Sequence, residues 1–309
     1  MADNAVSLSV HTNIRVRKRR SAARVAFWFL LPNLIGFICF TLLPIVMALG
    51  LSLFKWSLTS PPEFVGLSNY VTLFVHDVLF GQVLFHTVYY VAVYVTLNLV
   101  VSLSFAVWLN RKIKGIQVFR AVLFLPVLVP PVAISMVWQW LYNPDYGLID
   151  SVLKSLGLSG PNWLGNEHWA MPALVLMSVW EQFGYNMLIF LAGLQSVSRD
   201  LLEAAAIDGA GRWRRFWRIQ LPMISPSVFF GMVMTLITSF QTFDQVFVLT
   251  NGGPGDATDV LGLYIYNNAF NYFKIGYGST IAVVMFLIIM IVTMIQLRLQ
   301  KRWVHYEAS

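Results

Sequence analysis

Long apolar runs are the feature that most limits how this chain can fold. A helix needs about 20 residues to cross the hydrocarbon core of a bilayer, and its backbone polar groups must be paired within the segment. Six such runs lie near residues 25–53, 84–109, 121–141, 170–195, 224–250 and 278–297. The sequence therefore predicts an all-α membrane protein with six transmembrane helices.

Composition supports this class of protein. Of the 309 residues, 58% are hydrophobic and 11% are charged, whereas a soluble domain carries about 25% charged residues. The single cysteine, Cys39, lies in an apolar run, which excludes a disulfide framework and a cysteine-based metal site. The net charge of +7 could suggest nucleic acid as a partner. The basic residues are clustered between the apolar runs, however, so membrane topology explains them better and no nucleic-acid partner is expected.

The distribution of basic residues predicts the orientation. Eighteen of the 21 Lys and Arg residues lie in the tails or in alternate connecting segments, and only Lys55, Lys154 and Lys274 lie in the others. Cytosolic segments carry the excess of Lys and Arg. We therefore expect both termini in the cytosol: a basic tail over 1–24, a membrane domain over 25–298 and a second tail over 299–309.

The segment between the fourth and fifth runs, residues 199–222, is polar, rich in small residues and basic. Asp200 and Glu203 have the spacing of a capping box. Three alanines follow, which favour helix and allow another surface to approach closely. Gly209 and Gly211 should then bend or end the helix, and a second short helix could begin at Arg212.

This segment resembles the signature loop of binding-protein-dependent ABC importer permeases. The residues that carry the resemblance are Glu203, Ala204, Ala205, Asp208, Gly209, Ala210, Phe216, Leu221 and Pro222. In that family the loop forms a coupling helix that inserts into a cleft of the ATPase subunit. The resemblance implies a separate ATPase dimer that binds ATP and Mg, with no cofactor in this chain. The alternative is an amphipathic loop helix that Glu203 merely caps.

The resemblance extends along the chain after residue 25. Residues 64–70, Leu125-Pro126, 191–195 and 250–254 look like the carbohydrate-uptake class, of the maltose or glycerol-3-phosphate type. That class implies a second homologous permease subunit, an extracytoplasmic substrate-binding protein, a sugar substrate and a bacterial inner membrane. His86 and Asp150 stand where relatives often carry Asn, and no family role is assigned to either.

No catalytic or metal-binding pattern is visible. A P-loop needs Gly-Lys-Ser/Thr, and no lysine follows a glycine here. The five histidines have no metal-ligand spacing, and no nucleophile and base occur together. We therefore expect no enzyme activity and no metal site in this chain.

Polar residues within two of the runs suggest a substrate path. Four residues in each run recur at helical spacing and so fall on one face, and the others lie beside them. An acidic residue at membrane depth should face protein or water. The candidates are Ser178, Glu181, Gln182, Tyr185 and Asn186 on the fourth run, and Thr235, Thr238, Ser239, Gln241, Thr242 and Asp244 on the fifth. Trp180 or Tyr185 could stack on a sugar ring. The alternative is hydrogen bonding between helices.

The sequence therefore predicts the permease subunit of an ATP-driven sugar importer. A polyol or glycerol-3-phosphate importer with the same mechanism is an alternative. A different class, an ion-coupled secondary transporter, would use Glu181 or Asp244 as its ion site. A purely structural membrane protein has no specific feature in its favour.

Overall fold

The structure is a computed structural model that describes residues 25–57, 59–111 and 114–304. The expected tail over 1–24 and the end of the second tail, 305–309, lie outside these residues. Helix α1 spans Val25–Leu51. A two-stranded antiparallel pair follows, β1 (Phe54–Lys55) and β2 (Glu63–Phe64), and then the short helix α2 (Ser68–Val71).

Helix α3 spans Val78–Leu109 and begins earlier than the predicted second run. The side chain of Asp77 caps it by accepting a hydrogen bond from the backbone N–H of Phe80 at 3.1 Å. An acidic N-cap satisfies one of the donors that a helix start leaves unpaired, so α3 can extend beyond its apolar run.

The third predicted run is two helices rather than one continuous helix. Helices α4 (Ile116–Leu128) and α5 (Pro131–Leu141) meet at an angle of 100°. The bend falls at Pro130 and Pro131, because proline lacks a backbone donor and restricts the residue before it. Helix α6 (Leu148–Ser155) and the long helix α7 (Glu167–Ser196) follow.

Helix α8 spans Arg199–Ile207, with Ser198 at its N-cap position and no side-chain capping bond. The predicted capping box of Asp200 and Glu203 is therefore wrong, because Asp200 already lies in the first turn. Gly209 ends the helix with a φ of +80°. The backbone N–H of Ala210 then donates to the carbonyl of Ala205 at 2.9 Å, as in a glycine C-cap.

Helix α9 (Arg212–Met223) meets α10 (Ser225–Phe240) at 67°. We call α8 and α9 together the α8–α9 arm. The predicted fifth run, 224–250, does not continue as one helix. A turn at residues 241–243 separates α10 from α11 (Asp244–Leu249), because the Thr242 hydroxyl donates to the Gln245 side chain at 3.0 Å and so favours a turn over helix.

The last elements are α12 (Leu261–Tyr266) and α13 (Ile275–Arg302). The described chain is thus mostly helical. It holds four helices long and apolar enough to cross a membrane, α1, α3, α7 and α13, or up to six spans if each bent pair counts as one.

Helices α3 and α7 form the centre of the fold, and α10 packs against both. The Ser102 hydroxyl on α3 donates to the carbonyl of Phe183 on α7 at 2.8 Å. At Gly184 a Cβ atom would lie 2.5 Å from the carbonyl oxygen of Leu123, so α4 and α7 are in backbone contact there. Helix α1 differs, because none of its most apolar 18 residues is buried.

Candidate functional site

A cavity of about 630 Å³ opens between α3, α7, α10 and α11. This volume lies in the range typical of small-molecule sites. Ten of the predicted path residues line it: Ser178, Gln182, Tyr185, Asn186, Thr235, Thr238, Ser239, Gln241, Thr242 and Asp244. The structure therefore brings the two polar faces together around one space, as their helical spacing predicts.

Hydrogen bonds join the helices around the cavity. The side-chain amide of Asn186 on α7 donates to Asn98 Oδ1 on α3 and to Thr235 Oγ1 on α10, both at 2.7 Å. The hydroxyl of Tyr90 on α3 donates to Ser178 Oγ on α7 at 3.0 Å. Interhelical bonding and cavity lining are thus combined in the same residues, and the pairing holds the cavity wall in one arrangement.

Glu181 lies behind the wall rather than in it. The side chain is completely buried, and its carboxylate accepts two hydrogen bonds. The amide of Gln182 donates to Oε1 and the amide of Gln245 donates to Oε2, each at 3.2 Å. Both glutamines line the cavity, so Glu181 holds two wall residues in place and is a positioning residue.

Trp180 is not part of the cavity lining. It is 44% exposed, and its ring packs against Trp138 with a centroid distance of 5.5 Å. Trp180 lies two residues from both Ser178 and Gln182, which is about 200° around a helix. It therefore points away from the cavity, and Tyr185 is the candidate ring platform that remains on α7.

Helix α3 contributes residues that the sequence reasoning missed. Tyr90, Tyr94 and Asn98 line the cavity, and the two tyrosine rings are stacked with centroids 5.5 Å apart. Their spacing in the sequence could have identified them, because the three residues recur every four positions and so share one helix face. Met234 and Phe243 also line the cavity without a comparable pattern.

Asp244 is the single charged residue among the lining residues, and no described lysine or arginine lines the cavity. Among the residues that the structure describes, no group of three or more His, Cys, Asp or Glu side chains could hold a metal ion. The wall can therefore offer hydroxyl, amide and carboxylate groups to a ligand, together with aromatic faces.

The α8–α9 arm carries the signature residues in two different settings. Glu203, Ala204, Asp208 and Gly209 are exposed, and Ala205 and Ala210 are intermediate. Phe216, Leu221 and Pro222 are partly buried where α9 joins the bundle. The Arg215 guanidinium donates to the carbonyl of Leu202 at 3.3 Å and so links α9 to α8. Ile207, which the sequence reasoning did not single out, is 87% exposed at the end of α8.

The loops at the opposite end of the bundle are ordered by side-chain bonds. Asp77 accepts hydrogen bonds from the hydroxyls of Tyr264, at 2.6 Å, and Tyr277. Asp259 lies in the loop before α12 and is 5% exposed. Burial, with a further contribution from the charge of Asp256, raises the pKa of Asp259 to about 7.

Comparisons with known proteins assign the family. Residues 98–305 match the family described as binding-protein-dependent transport system inner membrane component. A probable ABC transporter permease protein, YesP, from Bacillus subtilis is 38% identical over 95% of this chain and 97% of its own. The trehalose/maltose transport system permease protein MalF of Thermococcus litoralis is 36% identical over 94% of this chain and 98% of its own.

A solved structure has the same fold. A chain of a bacterial alginate ABC transporter, crystallised with an alginate pentasaccharide-bound periplasmic protein, aligns with a TM-score of 0.81 and 21% identity. The alignment covers 93% of this chain and 98% of the other. Membership of an ABC transporter family decides against the alternative of an ion-coupled secondary transporter. The chain belongs to the binding-protein-dependent transport system inner membrane components and is an ABC importer permease subunit.

Proposed function

We propose that this permease imports an uncharged sugar through the cavity between α3, α7, α10 and α11. The observation that carries the proposal is the cavity itself, whose wall combines hydroxyl and amide groups with Tyr185. A sugar offers hydroxyl groups to such a wall and an apolar ring face to an aromatic side chain. The relative from Thermococcus litoralis is named for trehalose and maltose, which agrees with this class of substrate.

The charge of the cavity wall favours a neutral sugar over glycerol-3-phosphate. Asp244 contributes a carboxylate, and no cationic side chain in the described part of the chain lines the cavity. Protein sites for phosphate groups use Arg, Lys or clustered backbone donors. A phosphate at this wall would meet a like charge, whereas a neutral sugar or a polyol would not.

The topology that we propose has six spans, with each bent helix pair counted as one. Both termini and the α8–α9 arm then lie in the cytosol. The distribution of basic residues supports this orientation, because arginines are concentrated in the arm and only three lysines lie in the segments at the other end.

In this topology the α8–α9 arm is the coupling element. Helix α8 would dock into a cleft of the ATPase subunit, with Glu203 as a polar contact and Ile207 as an apolar one, and Gly209 would provide the bend. ATP and Mg would be bound by the ATPase dimer. A second homologous permease subunit would present the equivalent arm to the other ATPase.

The arm is continuous with two helices that line the cavity. It follows α7 and leads into α10, and both helices contribute lining residues. Movement of the docked arm on ATP binding would therefore move both cavity walls and switch access from outside to inside. An extracytoplasmic binding protein would deliver the sugar to the loops around Asp77 and Asp259.

The test is uptake by the assembled transporter in vesicles. Both permease subunits, the ATPase and the binding protein are reconstituted, and labelled maltose, trehalose, glycerol and glycerol-3-phosphate are compared. We expect ATP-dependent uptake of a neutral sugar. We also expect Tyr185→Ala to impair it, whereas Trp180→Ala, a matched aromatic truncation outside the cavity, should not. Equal effects of the two variants, or preferred uptake of glycerol-3-phosphate, would contradict the proposal.

A further inference from the structure

Helix α9 presents two parallel rows of side chains to its surroundings. Trp213 and Trp217 are 76% and 56% exposed, and their spacing of four residues puts them on one face. Arg214 and Arg218 repeat that spacing one position further on and are also exposed. The opposite face, which includes Phe216, is partly buried against the bundle.

The positive charge of α9 is not neutralised by the residues that the structure describes. Four arginines and no acidic residue lie within its range. Only Arg215 of these four forms a side-chain hydrogen bond within the described part of the chain, to the carbonyl of Leu202. Arg214 and Arg218 form no ion pair with any described carboxylate. The two rows together therefore fit a partner that is both anionic and partly apolar.

The position of α9 indicates what that partner is. The helix runs directly into α10 at an angle of 67°. If α10 crosses the bilayer near its normal, α9 lies close to the membrane plane. Tryptophan is enriched where headgroups meet the hydrocarbon core, and helices with an aromatic row beside a basic row lie at that boundary. Basic residues near an anionic leaflet are attracted to its headgroups.

We propose that α9 is an interfacial helix that binds anionic phospholipid headgroups. Trp213 and Trp217 enter the boundary between headgroups and acyl chains, while Arg214 and Arg218 bind lipid phosphates. The inference rests on the proposed function for the placement of the arm at the cytosolic surface. It adds that the bilayer, and not only the ATPase, holds the arm.

The first experiment measures lipid contact in the assembled transporter. A Trp217→Cys variant in a Cys39→Ser background is labelled with bimane and reconstituted in vesicles that contain brominated phosphatidylcholine. We expect bromine to quench the label with or without the ATPase subunit. An Ile207→Cys label on α8 is the control and should not be quenched. The proposal would be overturned if the label at position 217 were not quenched, or if its quenching were lost when the ATPase is added.

The second experiment measures headgroup selectivity. Association of spin-labelled phosphatidylglycerol is compared between wild type, Arg214→Gln and Arg218→Gln, with Arg199→Gln on α8 as a matched control. We expect each α9 variant to weaken the association roughly fivefold, as the loss of one basic residue at an anionic surface predicts. Arg199→Gln should leave it unchanged, and equal losses in all three variants would overturn the proposal.

Uptake in the same vesicles separates the two proposals. Unquenched label with normal ATP-driven uptake would refute lipid binding and leave the importer mechanism intact. Quenched label without any ATP-driven uptake would refute the importer mechanism and leave the interfacial helix intact.

Discussion

Polar side chains are buried around the cavity, whereas large apolar side chains are exposed on the α8–α9 arm. In the cavity wall Asn98 and Asn186 are buried and bonded to each other. On the arm Ile207 and Trp213 are 87% and 76% exposed. Buried polar residues and exposed apolar residues both depart from the usual distribution, and each departure is a reason for the binding role that we propose for its region.

The two regions differ in how many of their side chains have partners within this chain. Several polar groups of the cavity wall hydrogen-bond one another and so link α3, α7 and α10 before any ligand arrives. Asn98 Nδ2 and Asn186 Oδ1 are buried without a hydrogen-bond partner within the described part of the chain. The exposed groups of the arm have few partners in this chain, so the arm depends on other molecules for its burial. Substitutions in the wall should therefore act first on folding or sugar affinity, and those in the arm on coupling.

The sharpest test of this contrast compares a glycine in the bundle, Gly184, with a glycine in the arm, Gly209. Gly184→Val should have the largest effect, because a Cβ atom there would lie 2.5 Å from a backbone oxygen that cannot move aside easily. We expect a destabilisation of about 3 kcal/mol, the upper end of the usual cost of overpacking, and a reduced folded peak in size-exclusion chromatography. Gly81→Val in α3 is the control, since a Cβ atom at Gly81 meets nothing within 4 Å. A folded Gly184→Val protein with normal stability would show that the contact between α4 and α7 is less rigid than the 2.5 Å distance indicates.

Gly209→Val is the counterpart in the arm. A Cβ atom at Gly209 meets nothing within 4 Å, but its φ of +80° disfavours a β-branched residue. The conformational strain at this residue should be about 1–2 kcal/mol. This strain is too small to unfold the protein but disfavours the bend, so we expect near-normal amounts of folded protein and at least a roughly tenfold loss of ATP-driven uptake. Gly209→Asn tolerates this conformation better and should retain most uptake. Normal uptake by Gly209→Val would show that coupling does not require the bend at Gly209.

Glu181→Gln tests whether the Glu181 carboxylate positions the cavity wall, because glutamine has nearly the same shape as glutamate. Glutamine keeps one acceptor oxygen but replaces the other with an NH2 donor, so one of the two amides, that of Gln182 or that of Gln245, loses its acceptor. We expect the half-saturating sugar concentration to rise about five- to thirtyfold, which corresponds to about 1–2 kcal/mol. The measurement is uptake against sugar concentration in vesicles, with Trp180→Phe as the control. An unchanged value would mean that Glu181 does not position the wall.

Asp259 is a buried carboxylate in the loop before α12, outside both the cavity wall and the arm. Its pKa of about 7 lies above the ordinary value of 3.8 because of burial and Asp256, so between these values the folded state binds more protons than the unfolded state. Stability should therefore fall as the pH rises from about 4 to 7 and then level off. We expect Asp259→Asn to flatten this profile and to raise the thermal midpoint by a few degrees at pH 8. A profile that the substitution leaves unchanged would assign the titration to another group.

Much of the central fold could be predicted from the sequence. The apolar runs of α3, α7 and α13 exceed the length of a bilayer crossing, and length and hydropathy alone locate them. The polar faces of α7 and α10 follow from helical spacing. The bend between α4 and α5 was missed, although Pro130 and Pro131 lie at its centre, because hydropathy does not register backbone geometry.

Other features depend on contacts that spacing alone cannot reveal. The end of α10 is set by the hydrogen bond between Thr242 and Gln245. The burial of Glu181 behind the wall depends on where α11 packs. The direction of Trp180 could have been derived, since it lies about 200° around the helix from both Ser178 and Gln182, but the sequence did not show which face would meet Trp138.

The placement of α1 has a consequence for how the protein is made. Its C-terminal half packs against α13, and the hydroxyl of Thr280 donates to the carbonyl of Ser52 across 228 residues of sequence. Helix α1 is therefore synthesised long before α13, the helix of the same chain against which it packs. Until α13 is made, lipid or an insertion factor must shelter α1, and a nascent chain truncated before residue 275 would lack that contact.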